Sequence, residues 1–153
     1  MEGLNIRPVT EDNWRAIVEL KPLTDQKKYI TSNAESLLES FYETRYNWSV
    51  FGLFKEEYPI GFTMIGAFNA EKEYIWLDRF MIDGQFQGKG YGKKFLQLIV
   101  DYIQLKWQVK DIVLSIVKEN NQAKKLYETI GFIDTGRIDE ENGELVMVLN
   151  VKK

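Results

Sequence analysis

Chemistry is indicated most directly by one glycine-rich segment, Gln87-Gly88-Lys89-Gly90-Tyr91-Gly92. Glycine lets the backbone approach a ligand closely, and the N–H groups at the start of a helix bind anions such as a pyrophosphate. Lys93 and Lys94 add positive charge just after the segment. The pattern therefore predicts an anion site at the start of a helix. The alternative is a tight turn that needs glycine only for its backbone conformation.

The glycine spacing separates this segment from two common phosphate-binding motifs. In a P-loop, Gly84 and Gly88 would stand one residue further apart, and Ser or Thr would follow Lys89. A dinucleotide fingerprint reads G-x-G-x-x-G, but Lys93 stands where the third glycine belongs. That fingerprint also needs a parallel sheet, which a predicted hairpin turn at residues 55–59 disfavours. A dinucleotide-binding module remains the second interpretation.

The sequence contains neither cysteine nor histidine. The first absence excludes a disulfide scaffold, a cysteine-ligated metal site and a cysteine nucleophile. The second removes the commonest general base, the commonest metal ligand and every Ser-His-Asp triad. We therefore expect no metal, and any catalysis must use Asp, Glu, Tyr, Lys, Ser, Thr or the backbone.

Charge is distributed unevenly along the chain, whose net charge is 20 − 23 = −3. Residues 1–78 hold 8 basic and 13 acidic side chains, giving −5, whereas residues 79–153 hold 12 and 10, giving +2. This balance argues against a nucleic-acid partner, and no apolar run approaches the roughly 18 residues that span a membrane. The default compartment is the cytoplasm. The two halves suit a cation and an anion respectively, unless the asymmetry is chance.

Periodicity and turn signals predict one domain, residues 1–153, with a mixed α+β fold in the order βααβββαβαββ. The second helix follows a capping box, Ser32–Glu35. The predicted strands are 6–9, 49–54, 60–68, 73–82, 111–117, 132–138 and 144–151. The other predicted helices are 10–20, 90–107 and 121–130.

Three acidic residues, Glu35, Glu39 and Glu43, stand at i, i+4 and i+8 of the second predicted helix. Like charges at this spacing destabilise a helix by about 0.2–0.5 kcal/mol per pair, so they do not serve the helix itself. The face is either solvated or an acidic wall for a linear polycation, and Glu35 also suits the capping box. Trp76 either offers a cation–π contact to an ammonium group or belongs to the core.

Two motifs together resemble the GNAT superfamily of N-acetyltransferases. Gln87 begins Gln-x-x-Gly-x-Gly, which is similar to the pyrophosphate loop of that superfamily. The segment from Asn120 to Phe132 is similar to its N-x-x-A-x-x-L-Y-x-x-x-G-F helix. The resemblance implies acetyl-CoA as co-substrate. It also implies a mostly antiparallel sheet of about seven strands with four flanking helices, in which two strands splay apart so that the pantetheine adds like a strand.

More diffuse matches resemble the bacterial diamine and spermine/spermidine acetyltransferase branch of the superfamily. They are Asn13-Trp14, Gln26, Ser32-Asn33, Ser36-Leu37 and Arg79-Phe80-Met81-Ile82-Asp83. This likeness implies a polyamine or diamine substrate and a homodimer. Direct transfer in a ternary complex is expected, because no cysteine can carry the acetyl group. The alternatives are another amine (an aminoglycoside, an amino acid or a protein N-terminus), a non-catalytic CoA- or dinucleotide-binding module, and an interaction domain with a purely structural glycine turn.

The resemblance also implies the catalytic pair. Tyr127 matches the general acid that protonates the coenzyme A sulfur, although its helix position alone also suits a core aromatic. Asp78 matches the position of a Glu in polyamine acetyltransferases, where it would act as the base, directly or through a water. Strand alternation places it on one face with Tyr74, Trp76 and Phe80, where desolvation would raise its pKa. The alternative is an aspartate paired with Arg79 or Arg7.

The remaining implied site residues fall into two groups. Acetyl-CoA is expected to contact the strand splay, the glycine turn and the start of the Asn120 helix, at Phe80, Met81, Ile82, Gln87, Gly88, Lys89, Gly90, Tyr91, Gly92, Lys93 and Asn120. The amine is expected to contact Glu35, Glu39, Glu43, Trp76 and Asp78. Asn120 alternatively caps its helix, and the two roles can coexist.

Overall fold

A seven-stranded sheet runs through the whole protein in a computed structural model, which describes residues 3–151. The predicted order of elements is confirmed. The elements are β1 (Leu4–Pro8), α1 (Trp14–Glu19), α2 (Asn33–Tyr42), β2 (Ser49–Lys55), β3 (Tyr58–Asn69), β4 (Tyr74–Ile82), α3 (Tyr91–Lys106), β5 (Asp111–Ile116), α4 (Asn121–Ile130), β6 (Ile133–Ile138) and β7 (Leu145–Asn150). None of the helices within residues 3–151 is long and apolar enough to cross a membrane.

Helix α1 begins later than predicted, at Trp14 rather than just after Thr10. The Thr10 hydroxyl accepts the N–H of Asp12 at 3.3 Å, and the Thr10 N–H donates to Asn13 Oδ1 at 2.8 Å. These bonds close a turn ahead of the helix, because Thr and Asn side chains compete for backbone groups that a helix would otherwise use.

The strands are ordered β1-β2-β3-β4-β5-β7-β6, and every neighbouring pair is antiparallel except β4 with β5. That parallel pair is short: residues 74–76 of β4 pair with residues 111–113 of β5. Beyond them β4 continues to Ile82 and β5 to Ile116 without pairing to each other. The two strands therefore splay apart, as predicted, and open a cleft in the middle of the sheet.

The splay begins next to a β-bulge at Asp78. Leu77 pairs with Ile65 of β3, and Arg79 pairs with the adjacent Met64, so that Asp78 has no partner on β3. A bulge inserts one extra residue into a strand and re-aims the side chains that follow it.

Because of the bulge, the predicted alternation of side chains along β4 is wrong beyond Asp78. Leu77 before the bulge and Phe80 after it both face the core layer beneath α3, whereas Met81 faces the layer beneath α1. Phe80 is thus not on the same face as Trp76, because the extra residue reverses the period of two.

Helices cover both faces of the sheet. On one face α3 and α4 pack on a core that includes Phe95, Ile99 and Ile112. On the other, α1 packs on a smaller core that includes Ile17 and Phe62. This division places the C-terminal half of β4, α4 and the start of α3 around the cleft.

Helix α2 leaves most of its large apolar side chains exposed. The N-cap at Ser32 is confirmed, since its hydroxyl accepts the Glu35 N–H at 3.1 Å. The buried residues are Asn33 and Ser36, however, and the apolar positions Leu38, Phe41 and Tyr42 are 59%, 76% and 77% exposed. An apolar stripe shows that a face will be covered, but it does not say by what.

Candidate active site

The glycine turn joins β4 to α3. Gly88 and Gly90 have φ of +76° and +86°, so glycine is needed there for the backbone alone. A Cβ at either position would meet no protein atom within 4 Å, which leaves the turn open to a ligand. The first N–H groups of α3 point out of this turn without helical partners. The structural and anion-binding interpretations are therefore compatible here.

A pair of glutamines braces the turn. Gln87 Nε2 donates to the carbonyl of Ile82 at 2.9 Å and to Gln26 Oε1 at 2.8 Å. Gln26 Nε2 donates back to Gln87 Oε1 at 2.9 Å and reaches Gln122 Oε1 at 3.2 Å. This network ties the turn to residues 24–29 and to α4, so the mouth of the cleft is held from three directions.

The cleft between β4 and β5 has a volume of about 380 Å³. It brings together eleven of the sequence-predicted residues: Asp78, Phe80, Met81, Ile82, Gln87, Gly88, Gly90, Gly92, Lys93, Asn120 and Tyr127. They come from β4, the glycine turn, the start of α3 and the Asn120–Ile130 segment. Because β4 and β5 splay apart, these separate elements line one cavity.

The other predicted residues lie outside the cleft lining. The Lys89 ammonium lies 5.7 Å from the ring centroid of Phe86, and the Tyr91 side chain is buried against the same ring. Trp76 lines a second cavity, which has a volume of about 420 Å³ and is also lined by Tyr46. Glu35 and Glu39 lie on α2, whereas Glu43 follows the last residue of that helix as its C-cap.

Tyr127 combines its two predicted environments. Its ring packs edge-on against Phe80 and Phe132, with centroids 6.3 and 5.6 Å away, and the residue is 8% exposed where it lines the cleft. Within residues 3–151 its hydroxyl makes no hydrogen bond. Burial raises the pKa of Tyr127. The phenol therefore stays protonated at neutral pH and can donate a proton into the cleft.

Asp78 forms an ion pair with its neighbour Arg79, whose Nη1 contacts Asp78 Oδ2. Arg79 Nη2 also reaches Glu39 Oε2 at 3.1 Å, while Arg7 pairs instead with Glu57. Burial raises the pKa of Asp78, Arg79 opposes this, and the charge of Glu39 adds to the rise. A carboxylate with a raised pKa is a better proton acceptor for an ammonium group than an exposed one.

The three acidic residues of the predicted second helix are largely compensated. Glu39 pairs with Arg79, and Glu43 accepts from Arg45 at 2.8 and 3.0 Å. Glu35 is exposed in the first turn of the helix, where a negative charge is favourable. The stripe is therefore less negative than the sequence suggests.

Asn120 lines the cleft and also caps α4, because its Oδ1 accepts the Ala123 N–H at 3.2 Å. The N-cap alternative is thus confirmed. The side-chain amide nitrogen makes no hydrogen bond to another residue of the 3–151 range, which leaves it available to a ligand.

Seven polar lining residues were not among the predicted site residues: Gln26, Tyr29, Thr31, Arg79, Ser115, Gln122 and Glu144. Gln26 and Arg79 did stand within the diffuse family matches, which was a usable signal. Ser115 and Glu144 belong to no motif. They enter the cleft because the end of β5 pairs with the start of β7, on the side of the splay opposite β4.

The chain matches a known family over most of its length. The model of the Acetyltransferase (GNAT) family matches residues 14–132. The spermine/spermidine N(1)-acetyltransferase of Bacillus subtilis (strain 168) is 40% identical over 151 residues, covering 95% of this chain and 97% of that protein. The probable spermine N(1)-acetyltransferase of Bacillus subtilis subsp. natto has the same identity and coverage.

Solved structures share the fold. The crystal structure of a spermidine N-acetyltransferase from Vibrio cholerae, in complex with CoA and spermine, has a TM-score of 0.76 and covers 98% of this chain and 96% of that one, at 21% identity. The resemblance predicted from the glycine turn and the Tyr127 helix is confirmed. This chain belongs to the GNAT acetyltransferase family, whose members use acetyl-CoA.

Proposed function

We propose that this chain transfers the acetyl group of acetyl-CoA to a primary amine of a polyamine such as spermine or spermidine. One observation carries the proposal: the cleft has two ends of opposite character. The glycine turn and Lys93 suit an anion, while Asp78 lies among acidic residues at the other end. The names of the two Bacillus subtilis relatives support the same substrate class.

We propose that the pyrophosphate of acetyl-CoA lies on the N–H groups of the glycine turn and the first turn of α3. Lys89 and Tyr91 would contribute through their backbone, since their side chains lie elsewhere. The pantetheine arm would run along Phe80–Ile82 like an added strand and bond Asn120. The open space around Gly88 and Gly90 supports this fit.

In the proposed reaction Asp78 accepts a proton from the ammonium, directly or through one water. The neutral amine nitrogen then attacks the thioester carbonyl carbon. Backbone N–H groups of residues 80–82 stabilise the oxyanion that forms. When the C–S bond breaks, Tyr127 donates its proton to the departing sulfur, and the acetylated nitrogen then gives up its second proton to the Tyr127 phenolate. The products are an N-acetylamine and coenzyme A, and the phenol is restored. The acetyl group passes directly to the amine, because the chain has no cysteine to carry it as a covalent intermediate.

The amine-binding role predicted for Glu35, Glu39, Glu43 and Trp76 stays a prediction. Glu39 has the best structural support, because it reaches Asp78 through Arg79. Trp76 lines the second cavity, and the Glu43 charge is compensated by Arg45. We propose that these residues tune the field around the amine more than they contact it.

We also propose that residues 1–153 act as one catalytic domain in the cytoplasm, where acetyl-CoA is available, and that the chain is a homodimer. Support for self-association comes from the exposed apolar side chains of Leu38, Phe41 and Tyr42 on α2. An exposed patch of this kind marks an interaction surface in many proteins.

The test is an amine panel at fixed acetyl-CoA concentration: spermine, spermidine, putrescine, an aminoglycoside, an amino acid and a peptide with a free N-terminus. We expect the highest kcat/KM with a polyamine. If an aminoglycoside or peptide were preferred by tenfold, the substrate class would be wrong. If no amine were acetylated while acetyl-CoA still bound, a non-catalytic CoA-binding module would replace this proposal.

A further inference from the structure

Glu144 enters the cleft from outside every motif of the sequence. It stands just before β7, yet it lines the same cavity as Asp78 and Tyr127. Its Oε1 accepts a hydrogen bond from Ser115 Oγ at 2.8 Å. Ser115 lies on β5 beyond the short stretch that pairs with β4, so the carboxylate is held at the splay itself.

The backbone around Glu144 is also held in place. The Gly143 N–H donates to the Asp139 carbonyl at 2.7 Å, and the Asp139 N–H donates to the Glu144 carbonyl at 2.8 Å. Leu145 then pairs with both Ile116 and Ile138. A residue fixed by two neighbouring strands can position a ligand with little loss of entropy on binding.

The charge of Glu144 is not compensated within residues 3–151, where it forms no ion pair. Asp78 and Glu39, by contrast, share Arg79. Glu144 is half-buried, and a carboxylate in that environment is stabilised by a cationic ligand. The cleft therefore contains one compensated carboxylate and one that lacks a cation.

A second feature of the same cleft indicates a ligand independently. The Tyr127 side chain is more than nine-tenths buried, and its hydroxyl makes no hydrogen bond within residues 3–151. Because this hydroxyl is accessible from the cleft, it is available to bond a ligand there. The charge of Glu144 also helps raise the pKa of Asp78, so the two carboxylates lie close enough to interact.

We infer that Glu144, held by Ser115, binds the ammonium group next to the reacting nitrogen and so selects amines that carry a second positive charge. The inference rests on the proposed polyamine acetylation and assigns its two carboxylates different tasks. Asp78 accepts the proton of the reacting nitrogen, whereas Glu144 pairs with the neighbouring ammonium.

The test compares Glu144→Gln with Glu140→Gln, which removes an exposed charge from the same turn. The amide of glutamine can still accept the Ser115 hydrogen bond, so that mainly the charge is lost. With spermidine we expect Glu144→Gln to lower kcat/KM by roughly tenfold, mainly through KM, because bonds to charged groups are the strong ones. With n-butylamine, which has one nitrogen, the change should stay within about twofold. In Glu140→Gln, the Kd for acetyl-CoA and the kcat/KM values for spermidine and n-butylamine should all match those of the wild type.

Equal losses on both amines, or none on either, would overturn the assignment of Glu144. If Glu144→Gln failed to fold, Ser115→Ala would take its place, with a smaller loss restricted to spermidine. Wild-type protein that bound acetyl-CoA but acetylated no polyamine would instead refute the proposed function itself, so the two failures are distinguishable.

Discussion

Gln26 and Gln87 exchange a reciprocal pair of side-chain hydrogen bonds, at 2.9 and 2.8 Å, across the mouth of the active-site cleft. The pair joins the segment before α2 to the glycine turn, and Gln87 also holds the end of β4 through the Ile82 carbonyl. The turn is thus fixed by side chains as well as by its glycines. Preorganised donors bind an anion better than mobile ones, because less entropy is lost on binding.

Gln87→Ala is therefore expected to raise the Kd for acetyl-CoA by about 5- to 20-fold, since it removes up to three hydrogen bonds of about 0.5–1.5 kcal/mol each. Gln26→Ala should have a smaller effect. Calorimetry with acetyl-CoA checks both. Gln97→Ala is the control, because the Gln97 side chain bonds Asp101 on the exposed side of α3. Unchanged affinity in Gln87→Ala would show that the glycine backbone suffices.

Gly90→Val should abolish acetyl-CoA binding, because a β-branched side chain would enter the open space of the turn. The substitution is also strained by the positive φ, at about 1–2 kcal/mol of stability. Gly136→Val controls for that strain, since Gly136 has φ of +74° and equally open surroundings on β6, away from the cleft lining. Comparable loss of binding in both variants would mean that strain, not the ligand site, is responsible.

Tyr127→Phe is expected to lower kcat by about 10²–10³-fold and leave the Kd for acetyl-CoA nearly unchanged. The substitution keeps the ring contacts with Phe80 and Phe132 and removes only the hydroxyl. Steady-state rates measure kcat, calorimetry with acetyl-CoA measures the Kd, and the melting temperature shows that the variant is folded. Wild-type kcat in a folded variant would exclude Tyr127 as the acid.

The kcat of the wild type should fall as the pH drops through the pKa of Asp78, since a base must be ionised to accept a proton. Burial and the charges of Glu39 and Glu144 raise this pKa, which places the acidic limb above the pH expected for an exposed aspartate. Asp78→Asn should lower kcat by about 10²–10⁴-fold and erase that limb. Asp101→Asn, on the exposed side of α3, should keep the wild-type profile.

Replacing Leu38 and Phe41 together by serine should convert a dimer into monomers, if the exposed face of α2 is the contact. Light scattering after size-exclusion chromatography gives the mass of each form. Leu105→Ser is the matched control, because Leu105 is 85% exposed on α3. A dimer that survives both serines would have to use another surface.

Several features of this protein could be predicted from short stretches of sequence. The order of helices and strands follows from local periodicity, and Ser32 and Asn120 cap their helices through bonds to residues three positions away. The need for glycine at Gly88 and Gly90 likewise follows from their own backbone angles. Such signals are local, because the interacting atoms lie within about one turn of chain.

Other features depend on partners that are distant in sequence. The bulge at Asp78 exists only in the pairing of β4 with β3, and it moved Phe80 to the opposite face from the one predicted. Arg79 compensates the charge of Glu39, which lies 40 residues away in the sequence. Ser115 donates a hydrogen bond to Glu144, which lies 29 residues away. No periodic pattern records which strand is the neighbour or where the register shifts. The chemistry of the turn was therefore determined by sequence, whereas the charge balance around the amine was decided only when the splayed sheet brought separate strands together.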